Sequence, residues 1–332
     1  MAVPSRIAVI GSTAFSGSSF IDHALAEGHE VLGISRSPEC HAALLPHLRH
    51  GGEKYRFRRH HLVEDIDGAV ASLDAFEPDY VVNFAAQGEV ASSFADPVAH
   101  FRTNAVGMVA LGEAMRQRDY LKRFVQISTP EVYGSCDGPA REDQPLDPSS
   151  PYAASKASAD LFFSVLHKTY GFPVVTTRAT NVYGPYQQLY RIMPRTVIAI
   201  RSGGRIKLDG GGVAVKSYLY IDDVSRATLA AMTSGTDGAV YHLSPDGGGT
   251  TVRAIVETIC RHMGAGFDEV VETGPERIGQ DKAYVLDSSR ARQEFGWAPQ
   301  VGLEQGIANV VAWVDRYWNE IKGLPKDYCF RP

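Results

Sequence analysis

Short runs of apolar residues alternate with helical patterns along the first half of the chain. RIAVIG (6–11), EVLGIS (30–35) and DYVVNFAA (79–86) are mainly apolar stretches of strand length. Between them, 18–28 and 67–76 carry apolar residues at the three- and four-residue spacing of an amphipathic helix. Continuous apolar strands that alternate with helices indicate a parallel sheet covered on both faces. The pattern therefore predicts an α/β fold built on a doubly wound parallel sheet.

The alternation continues as far as about residue 185 and then loosens. A helix with an apolar stripe is predicted over 97–118, and a strand at FVQIS, 124–128. A second long helix is predicted over 151–170, where proline opens it and glycine stops it. The looser pattern that follows predicts a smaller lobe over the carboxyl edge of the sheet, where open α/β sheets bind ligands.

Composition narrows the classes of protein to which this chain can belong. Its 332 residues exceed one small core, and 44% hydrophobic with 21% charged residues is close to a soluble average. The net charge of −5 argues against a partner such as nucleic acid or a membrane surface, which needs a basic footprint. The four cysteines have neither metal-ligand spacing nor the pattern of a disulfide framework, so we expect no metal. Without a leader pattern or an apolar run of ~20 residues, a reducing cytoplasm is expected.

The turn between the first strand and the first helix has the glycines of a dinucleotide-binding loop. GSTAFSG (11–17) lies where backbone N–H groups and a helix N-terminus can meet a pyrophosphate. Ala14 replaces the middle glycine of the usual spacing, and a tight turn without a ligand is the alternative interpretation. The residues of this turn predicted to bind a cofactor are Gly11, Thr13, Ala14, Phe15, Ser16 and Gly17.

The end of the second strand bears on the choice of cofactor. An NAD site usually has Asp or Glu there to bind the ribose hydroxyls, whereas this chain has Ser35 and Arg36. An arginine can pair with the 2′-phosphate of NADP, although a solvated surface arginine is the competing interpretation. We therefore expect NAD or NADP as cofactor, with NADP favoured.

A tyrosine and a lysine four residues apart lie in the first turns of the second long helix. Tyr152 and Lys156 share one helix face, and a nearby ammonium group lowers the pKa of a phenol. Such a tyrosine can remove the proton of a carbinol while hydride leaves the same carbon. The strand FVQIS ends in Ser128 and is followed by Thr129 and Glu131, which predicts a reaction site at that strand end.

These motifs, in their order and spacing, resemble the extended short-chain dehydrogenase/reductase family, and within it the sugar-nucleotide epimerases and dehydratases. The matching segments are GSTAFSG, NFAA (83–86), Asn104, STPEVYG (128–134), YAASK (152–156), RATNVYGP (178–185), LYIDD (219–223) and ERIGQD (276–281). The resemblance implies a Rossmann domain over 1–185, to which 216–244 returns. It implies a smaller substrate-binding lobe formed by 186–215 and 245–332.

The resemblance also implies partners and residue roles. It implies a tightly bound nicotinamide cofactor, a nucleotide-sugar substrate, and a homodimer joined through the helices 97–118 and 151–170. Thr129, Tyr152 and Lys156 would be the catalytic hydroxyl, the base and the partner of the base. Implied cofactor contacts, beyond the glycine turn, are Ser35, Arg36, Ala85, Ala86, Gln87, Asn104, Ser128, Tyr152 and Lys156. Implied substrate contacts are Glu89, Thr129, Pro130, Glu131, Asn181, Arg191, Lys216 and Arg277.

Glu131 and Pro130 decide which chemistry the resemblance favours. All these enzymes oxidise C4 of the sugar, and 4,6-dehydratases then use a glutamate at this position to remove the C5 proton before water leaves C6. Many have an aspartate before that glutamate to protonate the leaving hydroxyl, where this chain has Pro130. We expect Glu131 to act as base and then as acid, while Glu89 or a water is the alternative acid.

Three other functions compete with a 4,6-dehydratase. A simple 4-epimerase has no use for the carboxylate of Glu131. A uronate decarboxylase of the same family would need cations near C6, for which Arg191 and Arg195 are candidates. A non-catalytic sensor that binds NADP would not need Tyr152 and Lys156, which are both present.

Overall fold

Seven parallel strands form the central sheet in the computed structural model, which describes residues 4–136, 138–275 and 285–328. In chain order the strands are β1 (Arg6–Ile10), β2 (Glu30–Ser35), β3 (Tyr55–Arg59), β4 (Tyr80–Asn83), β5 (Arg123–Ile127), β6 (Val174–Ala179) and β7 (Val240–Leu243). Their spatial order is β7-β6-β5-β4-β1-β2-β3, and every neighbouring pair is parallel. This order, with its reversal between β1 and β4, confirms the predicted doubly wound fold.

Helices cover both faces of the sheet. They are α1 (Phe15–Ala26), α2 (Ile66–Phe76), α3 (Val90–Ala95), α4 (Pro97–Phe101), α5 (Gly107–Arg116), α6 (Pro151–Tyr170), α7 (Ile192–Arg201), α8 (Ile221–Ser234), α9 (Val252–Met263), α10 (Phe267–Val270), α11 (Ser289–Phe295), α12 (Leu303–Arg316) and α13 (Trp318–Ile321). Alternate residues of a strand point to opposite faces. Ile7 and Val9 accordingly pack with α1 and α8, while Ala8 and Ile10 pack with α2, α5 and α6.

The helix predicted over 97–118 is present from Pro97 to Arg116. A π-helical turn, Arg102–Val106, lies within it between α4 and α5. Such turns often occur at functional sites. Here the turn contains the buried Asn104, whose side chain bonds both the N–H and the carbonyl of Gln87.

The second half of the chain adds a group of helices and short strands beside the sheet. α7, α9 and α12 pack around a common apolar cluster, and the short strand Ile206–Asp209 pairs with Val271–Gly274. Trp313 lies in α12 and Trp318 in α13, because the helix is interrupted at Tyr317. The division into a domain over 1–185 and a lobe stays a prediction. Within the described ranges, no helix is long and apolar enough to cross a membrane.

Candidate active site

The carboxyl ends of the sheet strands open into a cleft of about 570 Å³. This is the edge at which doubly wound sheets bind their ligands. The cleft brings together residues from both halves of the chain. The predicted site residues that line it are Ala14, Phe15, Ser16, Ala86, Glu89, Ser128, Thr129, Pro130, Glu131, Tyr152, Lys156, Asn181, Arg191 and Lys216.

Thr129 and Glu131 lie where β5 ends in a single 3₁₀ turn, Pro130–Tyr133. Proline restricts the residue before it to an extended backbone, and Thr129 has φ −145° and ψ 146°. Pro130 therefore holds Thr129 in an extended conformation. The Thr129 hydroxyl accepts the backbone N–H of Glu131 at 3.3 Å, and both residues line the cleft.

Tyr152 and Lys156 come from the first two turns of α6. Proline at the first helical position and the Ser150 side chain, which accepts the N–H of Ala153, set where the helix begins. The Lys156 ammonium is buried and donates to the carbonyl of Ile127 at 2.7 Å. Burial lowers the pKa of Lys156 to about 8, against a smaller opposing effect of the Asp160 carboxylate.

The Tyr152 hydroxyl meets the groups at the end of β5. Burial, and then the negative charge of Glu131, raise the pKa of Tyr152. A hydrogen bond with Thr129 acts in the opposite direction, as does the positive charge of Arg191. In the protein alone the phenol is thus protonated at neutral pH, so it needs a further positive charge nearby before it can act as a base.

The glycine turn after β1 fits a dinucleotide. Gly11 has φ +83°, and a Cβ there would lie 2.6 Å from the N of Ala85. No side chain caps α1 at Ala14, so its first-turn N–H groups remain available to an anion. A Cβ on Gly17 would lie 2.3 Å from the carbonyl oxygen of Gly11, which explains the second glycine.

A second cavity of about 210 Å³ adjoins this turn. The predicted site residues that line it are Gly11, Thr13, Ala14, Ser35, Arg36, Ala85 and Ala86. The Thr13 and Ser35 hydroxyls are hydrogen-bonded to each other at 2.7 Å, and the His61 imidazole also lines the cavity. The cavity therefore has the place and the polar groups for the adenosine half of a dinucleotide.

Some predicted contacts lie elsewhere. The side chains of Gln87 and Asn104 are buried behind the cleft, where the Asn104 amide also bonds Ser155 at 2.9 Å. Gly17 packs against the turn and not on the cavity wall. Arg277 lies outside the described residues.

Glu89 and Arg191 form an ion pair on the cleft wall. Arg191 Nη1 and Glu89 Oε1 are 3.0 Å apart, and the Glu89 side chain is only 13% exposed. Both charges act on the Tyr152 hydroxyl, with opposite signs. The Arg191 cation was predicted from the sequence as a candidate to bind a sugar carboxylate. The Glu89 carboxylate of the protein already neutralises it.

Sequence reasoning missed a second charged pair behind the cleft, Asp160 with Arg178. Their side chains are 4–5% exposed and 2.7 Å apart. Asp160 follows Lys156 by four residues on the same helix, so its position on the Tyr152 and Lys156 face was a usable signal. Among the residues that the structure describes, no group of His, Cys, Asp and Glu is arranged to hold a metal ion.

The fold and this constellation define a nucleotide-sugar enzyme of the extended short-chain dehydrogenase/reductase type, and comparison with known proteins agrees. A family model described as GDP-mannose 4,6 dehydratase matches residues 8–310, so the chain belongs to this family. It is 36% identical to a dTDP-glucose 4,6-dehydratase of Streptomyces niveus, over 98% of either chain. A second such enzyme, from Streptomyces griseus, is 36% identical over 94% of this chain and 95% of its own.

Solved structures show the same architecture. DesIV, a dTDP-glucose 4,6-dehydratase from Streptomyces venezuelae solved with NAD and TYD bound, superposes with a TM-score of 0.86. It is 32% identical and covers 95% of this chain and 98% of its own. A UDP-glucose 4-epimerase from Thermotoga maritima gives a TM-score of 0.85 at 27% identity, covering 94% and 99%. The fold is thus shared with enzymes of two activities, and the choice between them depends on the site.

Proposed function

We propose that this protein is a nucleotide-sugar 4,6-dehydratase that forms a 4-keto-6-deoxy sugar nucleotide. The observation that carries the proposal is the carboxylate of Glu131 beside the Thr129, Tyr152 and Lys156 constellation in one cleft. The hydroxyl, tyrosine and lysine serve oxidation at C4. The carboxylate adds a base for C5, which a 4-epimerase does not need.

In the first step Tyr152 removes the proton of the sugar 4-hydroxyl. A bound nicotinamide would supply the hydride acceptor for C4 and the hydride donor for C6. Its positive charge would lower the pKa of the Tyr152 phenol, which burial and the charge of Glu131 hold high in the protein alone. Lys156 would assist as the partner of the base. Thr129, which is hydrogen-bonded to Tyr152, holds the sugar 4-hydroxyl close to the Tyr152 oxygen.

In the second step Glu131 takes the C5 proton, which the 4-ketone has made acidic. Glu131 then gives a proton to the C6 oxygen, the C6–O bond breaks, and water leaves. Reduction of C6 by the hydride would be accompanied by reprotonation of C5 from solvent. Tyr152 releases the 4-hydroxyl proton to solvent, so the net product is the substrate less one water. Pro130 has no side-chain proton to give, so the one carboxylate serves as base and then as acid.

We infer that dTDP-glucose is the first substrate to test, because curated relatives at 36% identity carry that activity in their names. The diphosphate would meet Asn181 and Lys216 on the cleft wall, with Arg277 a further candidate. NAD is the first cofactor to test, since DesIV holds it. The preference for NADP rests on Arg36 alone and stays an alternative.

The pairing of Glu89 with Arg191 supports dehydration over uronate decarboxylation. A decarboxylase needs an available cation for the sugar carboxylate. Glu89 neutralises one candidate, Arg191, and adds a negative charge beside Tyr152. The other candidate, Arg195, also lines the cleft, so a uronate decarboxylase stays an alternative function. A neutral hexose with a free C6 hydroxyl fits this wall better than a uronate.

We also infer that two copies associate through the faces of α4, α5 and α6. Large apolar side chains are exposed there, which is typical of interfaces. They are Val98, Phe101, Val109, Leu161, Val165 and Tyr170, with Phe94 and Val106 close by in sequence.

Turnover of dTDP-glucose with NAD in heavy water tests the proposal. We expect loss of the C6 hydroxyl and deuterium at C5, and Glu131→Gln is expected to lower dehydration by ~10²-fold or more. Glu131→Gln should still reduce the nicotinamide, because oxidation at C4 does not need the carboxylate. A product changed only at C4, without deuterium at C5, would show an epimerase and refute the proposal.

A further inference from the structure

The buried Asp160–Arg178 pair lies directly behind the segment that carries Thr129 and Glu131. Asp160 Oδ2 accepts from Arg178 Nη2 at 2.7 Å and from the Ser128 hydroxyl at 2.6 Å. Ser128 immediately precedes Thr129. One end of the reactive segment is therefore fixed by a charge-assisted hydrogen bond to Asp160.

The other end of the segment is held by the same ion pair. Arg178 Nη1 donates to the hydroxyl of Tyr133, the last residue of the 3₁₀ turn. The Tyr133 hydroxyl is also 2.7 Å from Nε2 of His242 on β7. Burial, and then the positive charge of Arg178, lower the pKa of His242 to about 3. The ring is therefore neutral, and its Nε2 accepts a hydrogen bond from the Tyr133 hydroxyl.

Asp160 also faces the lysine of the site. It lies four residues after Lys156 on α6, and both side chains are buried. The carboxylate raises the pKa of Lys156 against the larger effect of burial. The Asp160 carboxylate thus interacts with two cations, Lys156 and Arg178, and with the Ser128 hydroxyl, in a region that excludes water. The ionisable groups nearby are Tyr152 on α6, Glu131 and Tyr133 on the turn, Arg178 on β6 and His242 on β7.

We propose that Asp160 and Arg178 are positioning residues for the reaction: they fix both ends of the Ser128–Tyr133 segment, and Asp160 lies on the Lys156 face of α6. Neither residue lines the cleft, so neither touches substrate. The inference rests on the proposed dehydration, in which Thr129 and Glu131 must aim at C4 and C5 of one sugar. A displacement of ~1 Å at such groups can lower the rate by ~10²-fold.

The first test is the pH dependence of nicotinamide reduction in Asp160→Asn. Loss of the carboxylate lowers the pKa of Lys156 further, so the lysine loses its proton at lower pH. We expect the alkaline fall in the C4 oxidation rate to move down by ~1 pH unit. A rate lower by ~10-fold or more at neutral pH should accompany it, as the segment loses its anchor. A folded variant with the wild-type alkaline limb would overturn the proposal.

Asp223→Asn is the matched control. Asp223 is also a fully buried carboxylate, and it bonds Arg226 and the N–H groups of Gln300 and Val301 away from the cleft. Its loss should lower the melting temperature without moving the alkaline limb. If Asp223→Asn moves the limb equally, the effect reports loss of stability and the proposal fails.

Tyr133→Phe tests the turn when Asp160→Asn does not fold. The ring stays under the Arg178 guanidinium, whose carbon lies 4.8 Å from its centre, and only the hydroxyl is lost. We expect deuterium exchange at C5 to fall ~10-fold while C4 oxidation stays within ~2-fold of wild type, because the turn aims Glu131. A parallel fall in both rates, or no change in either, contradicts the positioning role.

The dehydratase proposal and the positioning proposal can be refuted independently of each other. If wild-type protein reduces nicotinamide but never exchanges C5, the dehydratase assignment is wrong. The pH limb of C4 oxidation in Asp160→Asn still reports on Lys156 in that case. If wild-type protein exchanges C5 and both variants behave as wild type, only the positioning role is wrong.

Discussion

Replacing Lys156 with methionine is expected to stabilise the protein below pH 8 and to abolish oxidation at C4. The ammonium is 3% exposed, and its pKa falls from 10.5 to about 8 in the folded state. A pKa lower by about 2.5, at ~1.4 kcal/mol for each pKa unit, means that the charged form of Lys156 costs roughly 3 to 4 kcal/mol in the folded protein. Methionine has a similar length and carries no charge, so that cost disappears.

The hydrogen bond from Lys156 to the Ile127 carbonyl partly offsets this gain. Its loss costs about 2 kcal/mol, as is usual for a bond from a charged donor. The net gain in the free energy of unfolding is then roughly 1 to 2 kcal/mol for the variant at pH 7. Nicotinamide reduction by the variant should fall by ~10²-fold or more, because the proposed base Tyr152 loses the lysine proposed as its partner.

The gain has a characteristic pH dependence. The folded protein binds the Lys156 proton less tightly than the unfolded chain does, since the folded pKa is the lower one. Between the folded value of about 8 and the unfolded value of 10.5, the unfolded state binds more protons, so wild-type stability rises with pH. The variant lacks this rise, and its advantage should vanish and then reverse across that window.

Urea unfolding of both proteins at a series of pH values from neutral to alkaline, followed by tryptophan fluorescence, measures the difference. Lys122→Met is the control, because Lys122 is exposed and paired with Asp79, which raises its pKa. The Lys122–Asp79 ion pair stabilises the folded protein while Lys122 is charged, so its contribution to stability falls as pH rises. This pH dependence is opposite in sign to that of Lys156. A Lys156→Met protein that is less stable at pH 7, or whose difference from wild type is independent of pH, would refute the reasoning.

Three other changes test the cofactor turn, the dimer face and the cleft wall. Gly17→Ala places a Cβ 2.3 Å from the Gly11 carbonyl, so calorimetry should show NAD binding weakened by ~10-fold or more. Leu161→Asp puts a charge on the exposed apolar face, so light scattering should show monomers, whereas we expect wild type to be dimeric at the same concentration. Glu89→Gln frees the charge of Arg191, so nucleotide uronates should bind ~10-fold more tightly than to wild type.

Each of these changes has a matched control. Gly52→Ala meets no atom within 4 Å and should leave NAD affinity unchanged. Val213→Asp alters an exposed apolar residue outside the dimer face and should leave the mass unchanged. Glu304→Gln breaks the exposed pair with Arg261 and should not alter uronate binding. The corresponding inference is wrong wherever the test variant behaves like its control.

Short-range sequence patterns were sufficient to predict the strands and helices and the residues at the centre of the site. Apolar runs of strand length and helical spacing predicted the alternating strands and helices, because burial imposes those periods on any chain. Tyr152 and Lys156 were placed together because residues four apart share a helix face. Pro130 fixed the backbone of Thr129 by a clash between neighbouring residues, which needs no tertiary contact. The roles of the remaining predicted residues stay predictions.

Long-range contacts and burial decided the rest. Glu89 and Arg191 are far apart in sequence and meet only because the cleft wall is built from both halves of the chain. The link from Asp160 through Arg178 and Tyr133 to His242 depends on β6 lying between β5 and β7. A local pattern identifies a strand but not its neighbours. The lowered pKa of Lys156 likewise comes from exclusion of water, which exists only once helix and sheet have packed.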